Sequence, residues 1–333
     1  MTDLEQALDG NLRPVLELAA LAPSVHNTQP WRFTWDGTSL HVFEDRTRAL
    51  AVLDPAGRER LLSCGAAVLQ ARLGFAVLGY ECRTAVLPDP DQPELVATLT
   101  IVGRTEPTEE ERALAEAIAR RTTDRDPFDD RPVPEGARSA LRQAAEQEGA
   151  WLRFIGDDGS DDAIELQILL SHADDSQRSD PAYLEELAAW RRDREAEGIP
   201  TRSLPSVPAE TRGASWVARD FDATGRASAP APAAEAPQPE HPAVLVIGTQ
   251  ADDTVDWVTA GQALARVLLR ATVDGLAAQP LTQVLEVPIL RGRMRHALGV
   301  RGYPQMLLRM GYGHAGPSSR RRPAEDYTQI VSP

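Results

Sequence analysis

Residues 21–33 combine side chains that could hold a polar ligand with a backbone pattern that would fix them in place. The run reads Leu-Ala-Pro-Ser-Val-His-Asn-Thr-Gln-Pro-Trp-Arg-Phe. Its hydroxyl and amide side chains belong to Ser24, Asn27, Thr28 and Gln29. Pro23 ends the apolar helical pattern before it, and residues 31–35 alternate like a strand. A polar turn between a helix and a strand can hold the polar edge of a planar ligand. A capped helix end before a buried Trp31 is the alternative.

A second run, residues 120–128, is basic where a predicted helix ends. It reads Arg-Arg-Thr-Thr-Asp-Arg-Asp-Pro-Phe, and its candidate phosphate ligands are Arg120, Arg121, Thr122 and Arg125. Guanidinium forks and a hydroxyl group at a helix end suit a phosphate monoester. A solvated helix end with salt bridges is the alternative. The sequence leaves open which of the three arginines would reach the phosphate.

Arginines recur near the C-terminus, in the segment 316–323. Arg320 and Arg321 are the candidate ligands there, whereas Arg322 precedes a proline and is expected to point away. The chain has a formal net charge of −15, so an anionic ligand requires arginines that are gathered locally. The two arginine clusters could converge on one phosphate. A disordered basic tail is the alternative for the second cluster.

The composition argues against several classes of function. A length of 333 residues fits one large domain or two ordinary ones. The negative charge disfavours a nucleic acid or an anionic membrane as the main partner. The two cysteines, Cys64 and Cys82, form no metal-binding or disulfide motif. An acidic N-terminus, and no apolar run near the roughly 20 residues that span a bilayer, predict a soluble, cytoplasmic protein without a metal site.

Hydrophobic periodicity and turn signals predict a mixed chain whose pattern starts twice. The first part is predicted to contain helices at 4–22 and 59–78, and strands at 31–35, 40–44, 81–87 and 94–102. Near residue 105 the pattern starts again, with a capping box at Thr108 and Glu111. The second part is predicted to contain helices at 108–120, 135–148 and 254–274, and strands at 150–155, 243–248 and 304–311.

The segment Ala22–Trp31 resembles the APS-x-x-N-x-QPW segment of FMN-dependent nitroreductases, and more closely that of the actinobacterial Acg-like branch. Arg121, Thr122 and Arg125 resemble the family's arginine turn, and residues 316–323 resemble its C-terminal SRRP segment. Members of this branch look like two nitroreductase halves fused in one chain. The resemblance implies an α+β, nitroreductase-like fold of two fused halves. Each half would have a mostly antiparallel sheet packed by helices, and a lid-like insertion would be added.

By this resemblance the cofactor is FMN, and its binding residues fall into three groups. Those near the isoalloxazine ring and the ribityl chain would be Pro23, Ser24, Asn27 and Gln29. The polar edge of the flavin would meet the backbone of Ala278, Gln279, Pro280 and Leu281. The phosphate would be held by Arg120, Arg121, Thr122, Arg125, Arg320 and Arg321. The flavin carries the redox chemistry, so no catalytic side chain is expected.

The two halves lack complementary parts of the family's site. The first half has the Ala22–Trp31 block but no arginine turn before it, whereas the second half has the turn and a decayed block at 145–154. In homodimeric nitroreductases each FMN lies at the subunit interface, with one part from each subunit. The fused chain is therefore expected to keep one complete site, and we predict one FMN per chain.

The resemblance divides the chain into five regions. They are a first half at 1–104, the start of a second half at 105–165, a lid-like insertion at 166–226, an Ala/Pro-rich linker at 227–242 and the remainder of the second half at 243–333. Residues 227–242 are dense in alanine and proline, which predicts an extended linker.

Two functions follow from the resemblance. The first is hydride transfer from NAD(P)H through FMN to a small nitro- or quinone-type acceptor. The second is flavin sequestration or storage, with a lid that blocks NAD(P)H. A non-flavin interaction domain is a third reading, and it would require solvent-facing arginine clusters. The fused chain is expected to be a monomer or a weak homodimer, because a pseudo-dimer already buries its internal interface.

Overall fold

A computed structural model of the chain describes residues 12–156, 159–192, 196–201, 216, 219, 221, 242–313 and 319–331. The helices are α1 (Arg13–Ala20), α2 (Arg58–Val77), α3 (Glu109–Arg120), α4 (Glu135–Glu146), α5 (Asp161–Arg178), α6 (Pro181–Ala189), α7 (Thr254–Val273), α8 (Gln283–Glu286) and α9 (Pro288–Ala297). The strands are β1 (Trp31–Trp35), β2 (Ser39–Glu44), β3 (Tyr80–Val86), β4 (Leu95–Arg104), β5 (Trp151–Phe154), β6 (Ala243–Thr249), β7 (Ala277–Pro280), β8 (Tyr303–Gly311) and β9 (Thr328–Ile330).

The strands form two sheets, one for each predicted half. The first sheet has the order β3-β4-β2-β1-β9, and the second has the order β5-β6-β8-β7. Neighbouring strands are antiparallel throughout, except that β9 runs parallel to β1. The predicted fold class, two mostly antiparallel sheets packed by helices, is confirmed. The C-terminal strand β9 crosses to the first half's sheet and so ties the two halves together.

Helices α2 and α7 cross at a pair of glycines that occupy equivalent positions. Each helix has 20 residues, and Gly65 and Gly261 are each the eighth. A Cβ atom on Gly65 would lie 2.2 Å from the carbonyl oxygen of Val258, and one on Gly261 would lie 2.0 Å from that of Leu62. Val258 and Leu62 each precede the glycine of their own helix by three residues. This reciprocal contact is what an approximate two-fold axis between the halves produces.

Gly65, in the run of small residues at 63–67, therefore serves helix packing. Helix α2 is buried along most of its length between the first sheet and α7. Its 20 residues are apolar enough, by length and composition alone, to cross a membrane, contrary to the expectation that no run approaches that length. Because 83% of the apolar window is buried inside the protein, it is a core helix of the fold. Cys64 is fully buried there, with its thiol against the Pro30 carbonyl oxygen at 3.1 Å.

The region predicted to be an insertion contacts both halves. Helix α5 starts at Asp161, earlier than the predicted boundary, and packs with α8 and α9 beside the second sheet. Helix α6 packs against Leu50 and Leu53 of the first half. Both oxygens of the Glu186 carboxylate accept backbone N–H bonds there, from Val52 and Leu53 at 3.0 and 2.9 Å. The predicted linker lies outside the described residues up to position 241, and the five predicted boundaries stay a prediction.

The glycine crossing predicts the response to one added methyl group. Gly261→Ala should lower the free energy of unfolding by about 1–3 kcal/mol, because the new Cβ atom overlaps the Leu62 carbonyl. Gly136→Ala is the matched control, since Gly136 lies in the first turn of α4 with no atom within 4 Å of an added Cβ. The control should be neutral or stabilising by about 1 kcal/mol or less. Urea denaturation measures both variants, and equal stability would contradict the tight crossing.

Candidate functional site

A cavity of about 180 Å³ lies where the two halves and the insertion meet. Its wall from the first half is the turn after α1, together with α2. The second half contributes the 121–125 turn, α7 and the segment after β7. The insertion contributes residues 198–200, 219 and 221. Of the predicted cofactor ligands, the wall contains Pro23, Ser24, Asn27, Arg121, Thr122, Arg125, Pro280 and Arg321.

The first-half turn holds an unusual concentration of backbone strain. His26, Asn27 and Gln29 have φ values of +46°, +53° and +50°. Among the described residues, only one other non-glycine residue has a positive φ. Such conformations cost on the order of 1–3 kcal/mol each and persist where surrounding contacts enforce them. The Ser63 hydroxyl accepts from the Val25 N–H at 3.2 Å, and the Ser24 hydroxyl accepts from the Gln29 N–H at 3.1 Å.

Three successive residues of this turn also carry buried polar atoms without partners. Within the described part of the chain, His26 Nδ1, Asn27 Oδ1 and Thr28 Oγ1 have no hydrogen bond. An unpaired buried donor or acceptor costs about 1–3 kcal/mol. Of the three residues, His26 and Asn27 line the cavity. A ligand that offers both an acceptor and a donor would offset this cost.

The tautomer of His26 follows from its neighbour. An Arg219 terminal nitrogen lies 3.2 Å from His26 Nε2. A guanidinium only donates, so Nε2 must accept and the ring proton must lie on Nδ1. Burial, followed by the nearby Arg219 and Arg125 charges, holds the pKa of His26 well below its ordinary value. His26 is therefore neutral and presents an N–H donor without a partner.

The arginine turn approaches the cavity from the second half. Thr123 bridges to Ala278, and the Asp124 N–H donates to the Ala278 carbonyl oxygen at 3.1 Å, which fixes the turn against β7. Arg121 lines the cavity, and its buried Nε has no partner among the described residues. Burial lowers the pKa of Arg121 to about 10. Burial and then Arg219 lower the pKa of Arg125, also to about 10. Arg120 is exposed and outside the wall.

The C-terminal arginines have three different environments. Arg321 lines the cavity, and its guanidinium donates to the carbonyl oxygens of Ala20, Leu21 and Ala22 at the end of α1. Burial, and then the charge of Arg121, lower the pKa of Arg321 to about 9. Arg320 is exposed and outside the wall, while its backbone carbonyl accepts from Asn27 at 3.3 Å. Arg322 donates to the Gln29 and Trp31 carbonyl oxygens, away from the cavity as predicted.

Four other predicted ligands lie outside the wall. The Gln29 amide donates to the Ala196 carbonyl oxygen at 2.8 Å and accepts from the Arg322 N–H at 2.9 Å. It thereby joins the turn, the insertion and the C-terminal segment. Gln279 accepts from the Arg309 side chain at 2.5 Å, and the Leu281 N–H donates to the Leu307 carbonyl oxygen. Ala278, Gln279 and Pro280 all pair with β8, and of the predicted residues in this segment only Pro280 lines the cavity.

Sequence reasoning missed a buried charge cluster beside His26 and Arg125. Arg219 and Phe221 come from the insertion, and Glu59 comes from α2. Arg219 forms an ion pair with Glu286, whose carboxylate also accepts from Gln177 at 2.5 Å. Burial, and then the charge of Glu286, raise the pKa of Glu59 above its ordinary value. An acid within the apolar α2 pattern was a usable signal for Glu59. No sequence pattern around residue 219 indicates its contact with Glu286.

Comparison with known proteins gives the family. No family model matches the chain. The "Putative NAD(P)H nitroreductase Rv3131" of Mycobacterium tuberculosis is 37% identical over 324 residues, 96% of this chain and 90% of that protein. The "Putative NAD(P)H nitroreductase acg" of the same organism is 31% identical over 326 residues, 96% and 95% of the two chains. The chain belongs to the NAD(P)H nitroreductase family of oxidoreductases, in the branch that contains Acg, which confirms the resemblance.

The solved structures that match are more distant in sequence. A nitroreductase with bound FMN from Bacteroides fragilis is 14% identical, with a TM-score of 0.37, and the match covers 63% of this chain and 93% of that one. Each half of the present chain has its own sheet, and the cavity lies between the halves.

The neutral, buried His26 predicts a specific dependence of stability on pH. Because the folded-state pKa lies below the unfolded value, the unfolded chain binds a proton first as the pH falls through about 6.5. The free energy of unfolding should then decrease by about 1.4 kcal/mol per pH unit from this group. His26→Asn, which tolerates a positive φ, should remove that part of the slope, whereas His172→Asn at an exposed position should not. Urea midpoints between pH 7.5 and 5 test this, and identical slopes for all three proteins would contradict it.

Proposed function

We propose that this chain is an FMN-dependent oxidoreductase with one flavin in the cavity between its halves. The observation that carries the proposal is that Arg121 and Arg321, two largely buried guanidinium groups, line the same cavity, where the charge of Arg121 helps to lower the pKa of Arg321. Among the described residues, neither side chain has a carboxylate partner. Burying cations without a counter-charge is costly, and a bound dianionic phosphate would offset that cost.

The donors and acceptors of the site suit the rest of FMN as well. Arg121, Arg125 and Thr122 would hold the phosphate, with Arg321 beside them. Ser24 and Asn27 would hold the ring system or the ribityl chain, and the His26 N–H would meet an acceptor on a bound molecule. When bound, FMN would supply hydride transfer from NAD(P)H to a small nitro- or quinone-type acceptor. The protein's own part is to bind, orient and shield these groups.

A single flavin per chain is supported by the residues at the pseudo-equivalent position, which the approximate two-fold axis relates to the proposed site. The turn after α4 corresponds to the turn after α1, which we propose binds the ligand, but it is shorter and consists of residues 147–150 only. Its Glu148 is buried and bridges Arg72 on α2 and Arg266 on α7, both at 2.7 Å. An internal carboxylate thus supplies the counter-charge there, so this position offers no unpaired cation to a phosphate.

Arg121 provides the test of the cofactor assignment. Arg121→Gln should weaken FMN binding by about 10- to 100-fold, since a charge-assisted phosphate contact is lost, while riboflavin binding should change little. Arg120→Gln, one residue away and exposed, is the matched control and should bind FMN normally. Flavin-free Arg121→Gln should melt no lower than the native chain, because the change removes an unpaired buried cation. Fluorescence titration measures both flavins, and equal FMN affinity in all three proteins would refute the assignment.

A second function, flavin sequestration, is favoured by the insertion. Gly198 exchanges hydrogen bonds with Asn27 at 3.1 and 3.2 Å, and Arg219 is ion-paired to Glu286 beside the cavity. These contacts would let the insertion act as a lid that limits access of NAD(P)H. The distinction is kinetic: rapid bleaching of the bound flavin by NAD(P)H indicates a reductase, and a flavin that stays oxidised indicates storage.

Breaking the Arg219–Glu286 ion pair should change the access of NADH to the bound flavin. Glu286→Gln leaves Arg219 buried without its counter-charge, which should shift the insertion away from the cavity. The flavin of this variant should be bleached severalfold faster by NADH than that of the native chain. Asp274→Asn, which removes an ion pair within the end of α7, is the control and should match the native rate. Stopped-flow absorbance measures the rates. An unchanged rate in Glu286→Gln would contradict the idea that this ion pair holds the insertion beside the cavity.

A further inference from the structure

An apolar groove with charged flanks lies on the outer side of the molecule, between α5 and α9. Its apolar centre consists of Ile164, Ile168 and Ile289, which are 46%, 50% and 67% exposed. The other large apolar residues exposed in the described part of the chain are all valines, and none of them lines this groove. We call this surface the α5–α9 face. Its charged members are Asp161, Glu165 and Arg293, and it also contains the imidazole rings of His172 and His296.

The α5–α9 face is not needed for the packing of its own helices. Both helices bury their opposite sides in one core cluster, through Leu166 and Leu170 of α5 and Leu290 and Met294 of α9. On α5 the exposed isoleucines are spaced four residues apart, so they form an outward stripe on a helix that is already anchored. Exposed apolar surface of this kind on a folded protein marks a contact surface.

The charges on the face are separated by sign. Asp161 and Glu165 lie on α5, whereas Arg293 lies on α9, and each helix adds one histidine, His172 on α5 and His296 on α9. No ion pair within the described residues involves Asp161, Glu165 or Arg293, although all three side chains line the same groove. Complementary charges that are unpaired within one chain are available to a partner with the reverse arrangement.

We propose that the α5–α9 face binds the same face of a second copy of this chain. A two-fold axis running along the groove places α5 of each copy over α9 of the other, so that Glu165 meets Arg293 on both sides of the axis. The alternative axis, across the groove, would set acid against acid and is disfavoured by repulsion. The isoleucines then fill the centre of the interface. A patch of three apolar side chains on an acidic protein predicts a weak dimer, with a dissociation constant on the order of micromolar.

Sedimentation velocity of the full chain over a range of concentrations tests this contact. The native chain should pass from monomer to dimer, and Ile168→Glu should weaken the dimer at least about tenfold by burying a charge at its centre. Val255→Glu is the matched control: Val255 is 47% exposed on helix α7, close to the 50% of Ile168, and the change in charge is identical. The control should dimerise as the native chain does. A native chain that stays monomeric, or an Ile168→Glu protein that still dimerises, would overturn the proposal.

A charge exchange separates specific pairing from general repulsion. Glu165→Lys makes the chain less acidic, so general electrostatics would favour association, yet the proposed pairing predicts a weaker dimer. Arg293→Glu should weaken it as well, and the double variant should restore it to near the native level. Failure of the double variant to recover, with native circular dichroism and melting temperature, would contradict the pairing of Glu165 with Arg293. These measurements need no flavin, so their outcome is independent of the cofactor assignment.

Discussion

The close contact of Gly65 with Gly261 is the constraint on which the rest of the structure depends. It brings the backbones of α2 and α7 together where any side chain would overlap a carbonyl oxygen. That approach fixes the separation of the halves, and thereby the shape of the cavity that α2 and α7 help to line. The C-terminal strand β9, paired with β1, then holds Arg321 against the end of α1. The contacts that pack the two halves together therefore also assemble the walls of the cavity.

The site is electrostatically expensive without a ligand. Arg121 and Arg321 are largely buried on the wall of one cavity, and the turn from Ser24 to Gln29 contains strained residues and unpaired polar atoms. In the pseudo-equivalent position, by contrast, Glu148 satisfies Arg72 and Arg266 internally. One interface thus holds two solutions to the burial of positive charge. One is complete within the chain, and we propose that an anion completes the other.

Local patterns predicted most of the elements, because their causes lie within a few residues. The Thr108–Glu111 capping box marks the start of α3, and alternation marks β1. Strand β9 has three residues and no pattern of its own, so only its partner β1 defines it. Likewise, the small residues around Gly65 would allow a close approach by another helix, but only the fold shows that Gly261 makes it.

The candidate site was predictable to the extent that it depends on family motifs. Those motifs located Asn27, Arg121 and Arg321 on the cavity wall. They did not show that Gln29 holds the turn to distant segments, or that Arg321 donates hydrogen bonds to carbonyl oxygens at the end of α1. Arg219 and Glu286 were missed because their pairing joins residues far apart in the chain. Long-range pairing of this kind leaves no periodicity in a sequence.

The most direct test of the account is the number of FMN molecules that the chain binds. Flavin-free protein, titrated with FMN and followed by flavin fluorescence and by absorbance after acid release, gives this number directly. One equivalent per chain is predicted, because we propose a single flavin site between the halves and because Glu148 pairs with Arg72 and Arg266 at the pseudo-equivalent position. Two equivalents would contradict the single site, and a chain that takes up no FMN would contradict the cofactor itself.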